Sequence, residues 1–122
     1  MPFEHGFRLE LRSLESNDHS DPAWRAWIPS DPSDACQWFT LDVGVEGEEG
    51  STLFQACVLT PTALKRGKSR RGKFRGFVVQ TYESGAVEPL LQAFLDSVSQ
   101  ACWDWEAALE TLRERLHWEY EG

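Results

Sequence analysis

An α+β fold, with an antiparallel sheet of four or five strands and two main helices packed over one face, is predicted by three features of the sequence. First, Gln37 to Leu64 reads as two apolar alternating segments joined by an acidic, glycine-containing turn, the signature of a β-hairpin. Second, apolar residues recur from Val87 to Ala101 with the spacing of a helix. Third, alternating segments near both ends of the chain, Gly6 to Leu14 and the HWEYEG tail, supply further strands. Strands and helices grouped in this way belong to an antiparallel sheet with helices on one side.

Phe7, Leu9 and Leu11 alternate with Arg8, Glu10 and Arg12, so Gly6 to Leu14 is a strand with one solvated face. Ser16 to Ala35 changes character: Asp18, Asp21, Asp31 and Asp34 are interspersed with Pro22, Pro29 and Pro32, alongside Trp24, Trp27 and Ile28. Three prolines exclude a long regular element and leave an ordered loop with one helical turn at Pro22 to Trp27. Loops this long in compact domains are functional or disordered. Either the two tryptophans fold back to cap the core, or, flanked by aspartates, they join a contact surface of the kind aromatics favour.

In the hairpin, Phe39, Leu41, Val43 and Val45 alternate with Trp38, Thr40, Asp42 and Gly44. The turn at Gly47 to Gly50 follows. Phe54, Ala56 and Val58 then line one face of a second strand and Leu53, Cys57 and Leu59 the other, so this strand is central or covered on both sides. Thr60-Pro61 stops it, with Thr60 as N-cap of a short helix from Thr62 to Arg66. Phe74 to Tyr82 resumes strand character, with Phe77 and Val79 opposite Val78, until Ser84-Gly85.

Val87, Leu90, Leu91, Phe94, Leu95, Val98 and Ala101 fall at i, i+3, i+4, i+7, i+8, i+11 and i+14, a stripe expected to cover the hairpin. Pro89 near its start suits a first turn, where no N–H is needed. Asp104 is placed to cap a second helix with Trp105, Leu109, Leu112 and Leu116 on one face. The tail then alternates Trp118 and Tyr120 with Glu119 and Glu121, a short edge strand whose charges discourage further pairing.

With 122 residues, the chain is the size of one domain, spanning 1–122, and long enough to bury its own core. It carries 12 basic and 20 acidic residues, a net charge of -8, which disfavours general binding to nucleic acid or to anionic membranes. Seven of the basic residues lie between Lys65 and Arg75, so the remainder holds five positive and twenty negative charges, a balance of -15. Interleaved Gly67, Ser69 and Gly72 make that segment a flexible surface loop that either keeps an acidic protein soluble or neutralises a local acidic patch. The start, MPFEHGF, resembles no secretory signal, and no run approaches a membrane span, so a cytoplasmic location is expected. Cys36, Cys57 and Cys102 are odd in number and form no CxxC pair. They read as small apolar residues in a reducing compartment rather than a disulfide or zinc framework.

No catalytic grouping is apparent. His5, His19 and His117 are scattered, with no HExxH, no GxSxG and no phosphate-cradling glycine loop. Neither a metal nor a cofactor is expected. Glu46, Glu48 and Glu49 lie on a turn where water relieves their repulsion, whereas catalytic carboxylates are generally desolvated. The turn reads either as a plain solvated turn or as an electrostatic recognition surface.

The strand, the Gly44–Gly50 turn, the second strand ending Thr60-Pro61 with Leu64 three residues on, Trp105-Glu106 and the closing Trp118-Glu119-Tyr120-Glu121 together resemble the Immunity protein 8 family of bacterial polymorphic-toxin and contact-dependent growth inhibition systems. The resemblance runs from about residue 37 to residue 121. It implies a small cytosolic α+β protein without catalytic activity, encoded beside a toxin and binding it to prevent self-intoxication. Many such toxins are nucleases with a basic groove, to which an acidic inhibitor is complementary. The expected contact residues are Glu46, Glu48 and Glu49 of the turn with Asp21, Trp24, Trp27, Asp31 and Asp34 of the loop. The competing expectation is an RNA-binding module that uses Lys65, Arg66, Lys68, Arg70, Arg71, Lys73 and Arg75, with an affinity that falls steeply with salt.

Overall fold

The structure, a computed structural model, describes residues 6–19, 23–67 and 75–118. Its elements in chain order are β1 (Leu9–Ser16), α1 (Ala23–Ala26), β2 (Cys36–Val45), β3 (Thr52–Leu59), α2 (Pro61–Arg66), β4 (Phe77–Val78), α3 (Ser84–Ala101), α4 (Trp105–Leu112) and β5 (His117–Trp118). The strands form one five-stranded sheet in the order β1-β2-β3-β4, with β5 also paired to β3. The predicted α+β architecture is therefore present, with α3 and α4 on one face. Strand β3 is central, paired along one edge with β2 and along the other with β4 at Val58–Leu59 and β5 at Phe54–Gln55.

The hairpin alternation translates directly into burial. Phe39, Leu41 and Val43 of β2 and Phe54, Ala56 and Val58 of β3 are buried and share a core with Leu9, Leu14, Leu91, Leu95, Val98, Ala108, Leu112 and Leu116. On the opposite face, Cys57 and Leu59 meet Ala63 of α2, with Trp38 and Leu64 packed against them. Strand β3 is thus covered on both sides only near its end.

A β-bulge between Leu11 and Ser13 shapes β1. Strict alternation would send Leu11 and Leu14 to opposite faces, yet both pack into the core. The extra residue resets the phase and leaves Arg12 as the side chain the bulge re-aims. Strand and helix are joined through a buried hydroxyl: the Leu9 N–H donates to Ser99 Oγ at 2.9 Å, and Ser99 Oγ–H donates to the Leu95 carbonyl at 2.8 Å. Ser99→Ala should therefore strand a buried N–H and cost about 1–3 kcal/mol, measurable as a lower urea midpoint with an unchanged m-value.

Four local expectations change. The 74–82 strand is reduced to Phe77–Val78 and pairs in parallel with β3, because β3 ends at Leu59 and Pro61 turns the chain away; Phe74 lies outside the described residues. Thr60 holds the N-cap position of α2 without capping it. Its hydroxyl instead accepts the Ala35 N–H at 3.0 Å, and the Thr60 N–H donates to the Ala35 carbonyl, which ties the loop to the end of β3. Helix α3 begins at Ser84, so Pro89 falls beyond the first turn, inside the helix and exposed. Leu116 is buried just beyond the end of α4. Asp104 does cap α4, accepting the Ala107 N–H at 2.9 Å.

Candidate functional site

The acidic turn is tied down by Arg12. From its bulge position, the Arg12 guanidinium donates to the carbonyls of Gly50 at 2.6 Å, Glu48 at 2.7 Å and Val45 at 2.9 Å, and to Glu10 Oε1 at 3.4 Å. A side-chain carbon at Gly44 would sit 2.2 Å from the guanidinium carbon, so the absent Cβ is what lets Arg12 lie across the strand. Gly47 and Gly50 adopt φ of +86° and +85°, which glycine accepts without strain. Glu46 pairs with Arg8 at 3.4 Å. Glu48 and Glu49 are exposed and take part in no ion pair among the described residues.

A turn held through its backbone while its carboxylates face water is a pre-organised anionic surface. Gly44→Ala should displace the flexible Arg12 side chain. Global stability would change little, but amide hydrogen exchange at residues 46–50 should accelerate several-fold, as it should in Arg12→Ala. Unchanged protection in both variants would show that the turn holds itself.

The Asp/Trp loop is equally well tied, but its side chains point elsewhere. Trp24 has no solvent exposure and meets Phe39 edge-on at 5.1 Å between centroids, so its expected contact role gives way to the core-capping one. Trp27 is half-buried, its ring 5.3 Å from Tyr82 and 4.8 Å from His19. Asp31 accepts the Ser33 hydroxyl at 2.7 Å and the Ser33 N–H at 3.0 Å. Those two bonds, the hydroxyl first, hold its carboxyl below the ordinary carboxylate range. Asp34 is ion-paired with Arg66, which engages one charge of the basic segment. Asp21, Lys68, Arg70, Arg71 and Lys73 lie outside the described residues. Lys65 is exposed, and Arg75 is half-buried.

Strand register sets the distance between the two expected contact regions. Ser16 pairs with Phe39 and Leu9 with Val45, so the loop leaves one end of the sheet and the acidic turn closes the other. At about 3.4 Å per residue, the length of β2 separates them by roughly 30 Å. The surface between them is the sheet face turned away from α3 and α4. Strand parity puts Glu15, Trp38, Thr40, Asp42, Leu53 and Gln55 there. The sequence displays this face as the second half of each alternation, but nothing in the periodicity says that, among the described residues, α2 covers it only near Trp38, Cys57 and Leu59.

Among the described residues, no group of three or more His, Cys, Asp or Glu side chains could hold a metal ion. Cys57 and Cys102 are buried, in keeping with their apolar reading, whereas Cys36 is exposed with its sulfur 3.6 Å from that of Cys57. A hollow of about 520 Å³ at the loop end is lined chiefly by Trp27, Ile28, Pro29, Pro32 and Tyr82, without a nucleophile paired to a base. Among the described residues, no helix is long and apolar enough to cross a membrane.

No curated protein and no solved structure matches the chain. The family profile described as Immunity protein 8 matches residues 9–122, further towards the N-terminus than the motifs from residue 37 onward and inclusive of β1 and the Asp/Trp loop. With nearly its whole length matched, the chain belongs to the Immunity protein 8 family.

Proposed function

We propose that the protein is a stoichiometric, non-catalytic inhibitor that binds a cognate bacterial toxin in the cytoplasm. The toxin is a nuclease domain of a contact-dependent growth inhibition or other polymorphic toxin system. Family membership supports the inhibitor role. The observation that carries the nuclease reading is the Arg12-fastened turn, which presents Glu48 and Glu49 to solvent at the end of a strongly acidic molecule. A nuclease must hold phosphate in a basic groove, and a fixed anionic turn is complementary to that groove. Attraction between opposite fields raises the association rate, and aromatic burial at the interface slows dissociation.

The test is co-expression with the small C-terminal domain of the protein encoded immediately upstream. Cells carrying that domain alone should die, and cells carrying both proteins should survive with their nucleic acids intact. Survival accompanied by continued nucleic-acid cleavage would contradict the reading, as would equal killing with and without the protein.

A further inference from the structure

We propose that the sheet face turned away from α3 and α4 is the seat of the toxin where, among the described residues, α2 leaves it open: a basic protein surface lies across it from the acidic turn as far as α2. This deepens the inhibitor reading and rests on it.

The centre of the face is already ordered. Thr40 Oγ1 donates to Asn17 Oδ1 at 2.7 Å, Asn17 Nδ2 donates to Gln55 Oε1 at 2.5 Å, and Gln55 Nε2 donates to Thr40 Oγ1 at 3.0 Å. This closed ring of three side chains fixes rotamers that an exposed strand surface ordinarily leaves free, so docking on it costs less ordering entropy. Trp38, half-buried against the α2 cluster and 5.4 Å from His117 between centroids, borders the ring, and Leu53 remains 40% exposed. An amphipathic ring and an aliphatic side chain next to fixed polar groups make the composition of an interface centre.

Charge selects the occupant. Glu15 lies opposite Thr40, and Asp42 lies opposite Leu53 and Ser13. Neither carboxylate joins an ion pair among the described residues. Arg12, the cation at the turn end, is occupied by three carbonyls and Glu10. Among the described residues between the turn and α2, Glu10, Glu15 and Asp42 outnumber Arg12, so this part of the platform is net negative, while Lys65 and Arg66 of α2 lie beyond it. That charge repels nucleic acid and a second copy of itself across a two-fold axis. A basic protein face is attracted. The area contributes: between the turn and α2, roughly 17 Å of strand length by about 15 Å across three strands supplies about a third of the ~800 Å² that each partner contributes to a standard interface. The acidic turn at its end supplies more.

The experiment measures binding of the wild-type protein and four variants to the catalytically inactivated toxin domain encoded immediately upstream, with circular dichroism and melting temperature as fold controls. Glu15→Arg and Thr40→Arg should each weaken binding about 100-fold, whereas Glu110→Arg on the exposed side of α4 should change it less than about threefold. Should Thr40→Arg lose its fold, Glu15→Arg, at an exposed carboxylate, carries the test alone. Wild-type affinity in Glu15→Arg, with binding abolished by Glu48→Lys/Glu49→Lys, overturns the platform and leaves the inhibitor reading standing. Absence of binding by the wild-type protein overturns both. A wild-type dimer dispersed by Glu15→Arg would also overturn the platform, because the face would then be occupied by a second copy.

Discussion

Trp24→Ala should be strongly destabilising, with a much lower urea midpoint than the wild-type protein. The indole is fully buried, packed edge-on against Phe39 and inside the cluster that joins the hairpin to α3 and α4. Truncating such a side chain costs about 3–5 kcal/mol, a large part of the ~5–15 kcal/mol that holds a domain together. Trp24→Phe should be far milder. The indole Nε1 is buried without a hydrogen-bond partner among the described residues, so the change sacrifices no polar contact there and leaves only a small cavity. Urea denaturation followed by circular dichroism checks both variants. Full protection by Trp24→Phe in the co-expression assay is the result expected of a core residue. Loss of protection with the fold intact would return the ring to the interface.

Reversing all three glutamates of the turn, Glu46→Lys/Glu48→Lys/Glu49→Lys, should slow association with the toxin by about 100-fold at low ionic strength. The side chains are exposed, and the one salt bridge lost, Glu46 with Arg8, is a surface pair of little consequence to stability. The melting temperature should therefore barely move while protection is lost. Raising the salt concentration should narrow the gap between wild type and variant, since screening weakens steering in one and repulsion in the other. A rate deficit independent of salt would place the effect in local contacts rather than in long-range attraction.

Period and capping chemistry made much of this fold legible. The hairpin, the stripe of α3 and the Asp104 cap all express short-range rules that the sequence carries on its surface. Long-range pairings were not legible. Thr60 looks like an N-cap because its neighbours are those of a helix start, but the Ala35 N–H, 25 residues away, claims its hydroxyl. The parallel pairing of β4 depends on where α2 returns the chain, which no local pattern encodes.

The candidate site follows the same division. Acidic residues on a turn are visible in sequence, whereas the Arg12 fastening depends on a bulge and on a bare Gly44 across the strand pair. Grouping the turn with the Asp/Trp loop relied on composition, and register then placed them at opposite ends of the sheet. Trp38 and Thr40 belong to the alternation already recognised in β2. Only the positions of the helices, α3 and α4 on the other face and α2 against Trp38 on this one, reveal how much of this half of the pattern the described residues leave open.

The central claim, that the protein works by occupying a toxin rather than by transforming anything, is tested most directly by titrating the activity of the purified toxin domain with the purified protein. Inhibition should be immediate and proportional to the amount added, reaching completion at one equivalent, with both chains recoverable unmodified. Complete inactivation by a small fraction of an equivalent, or full toxin activity in the presence of excess protein, would contradict it.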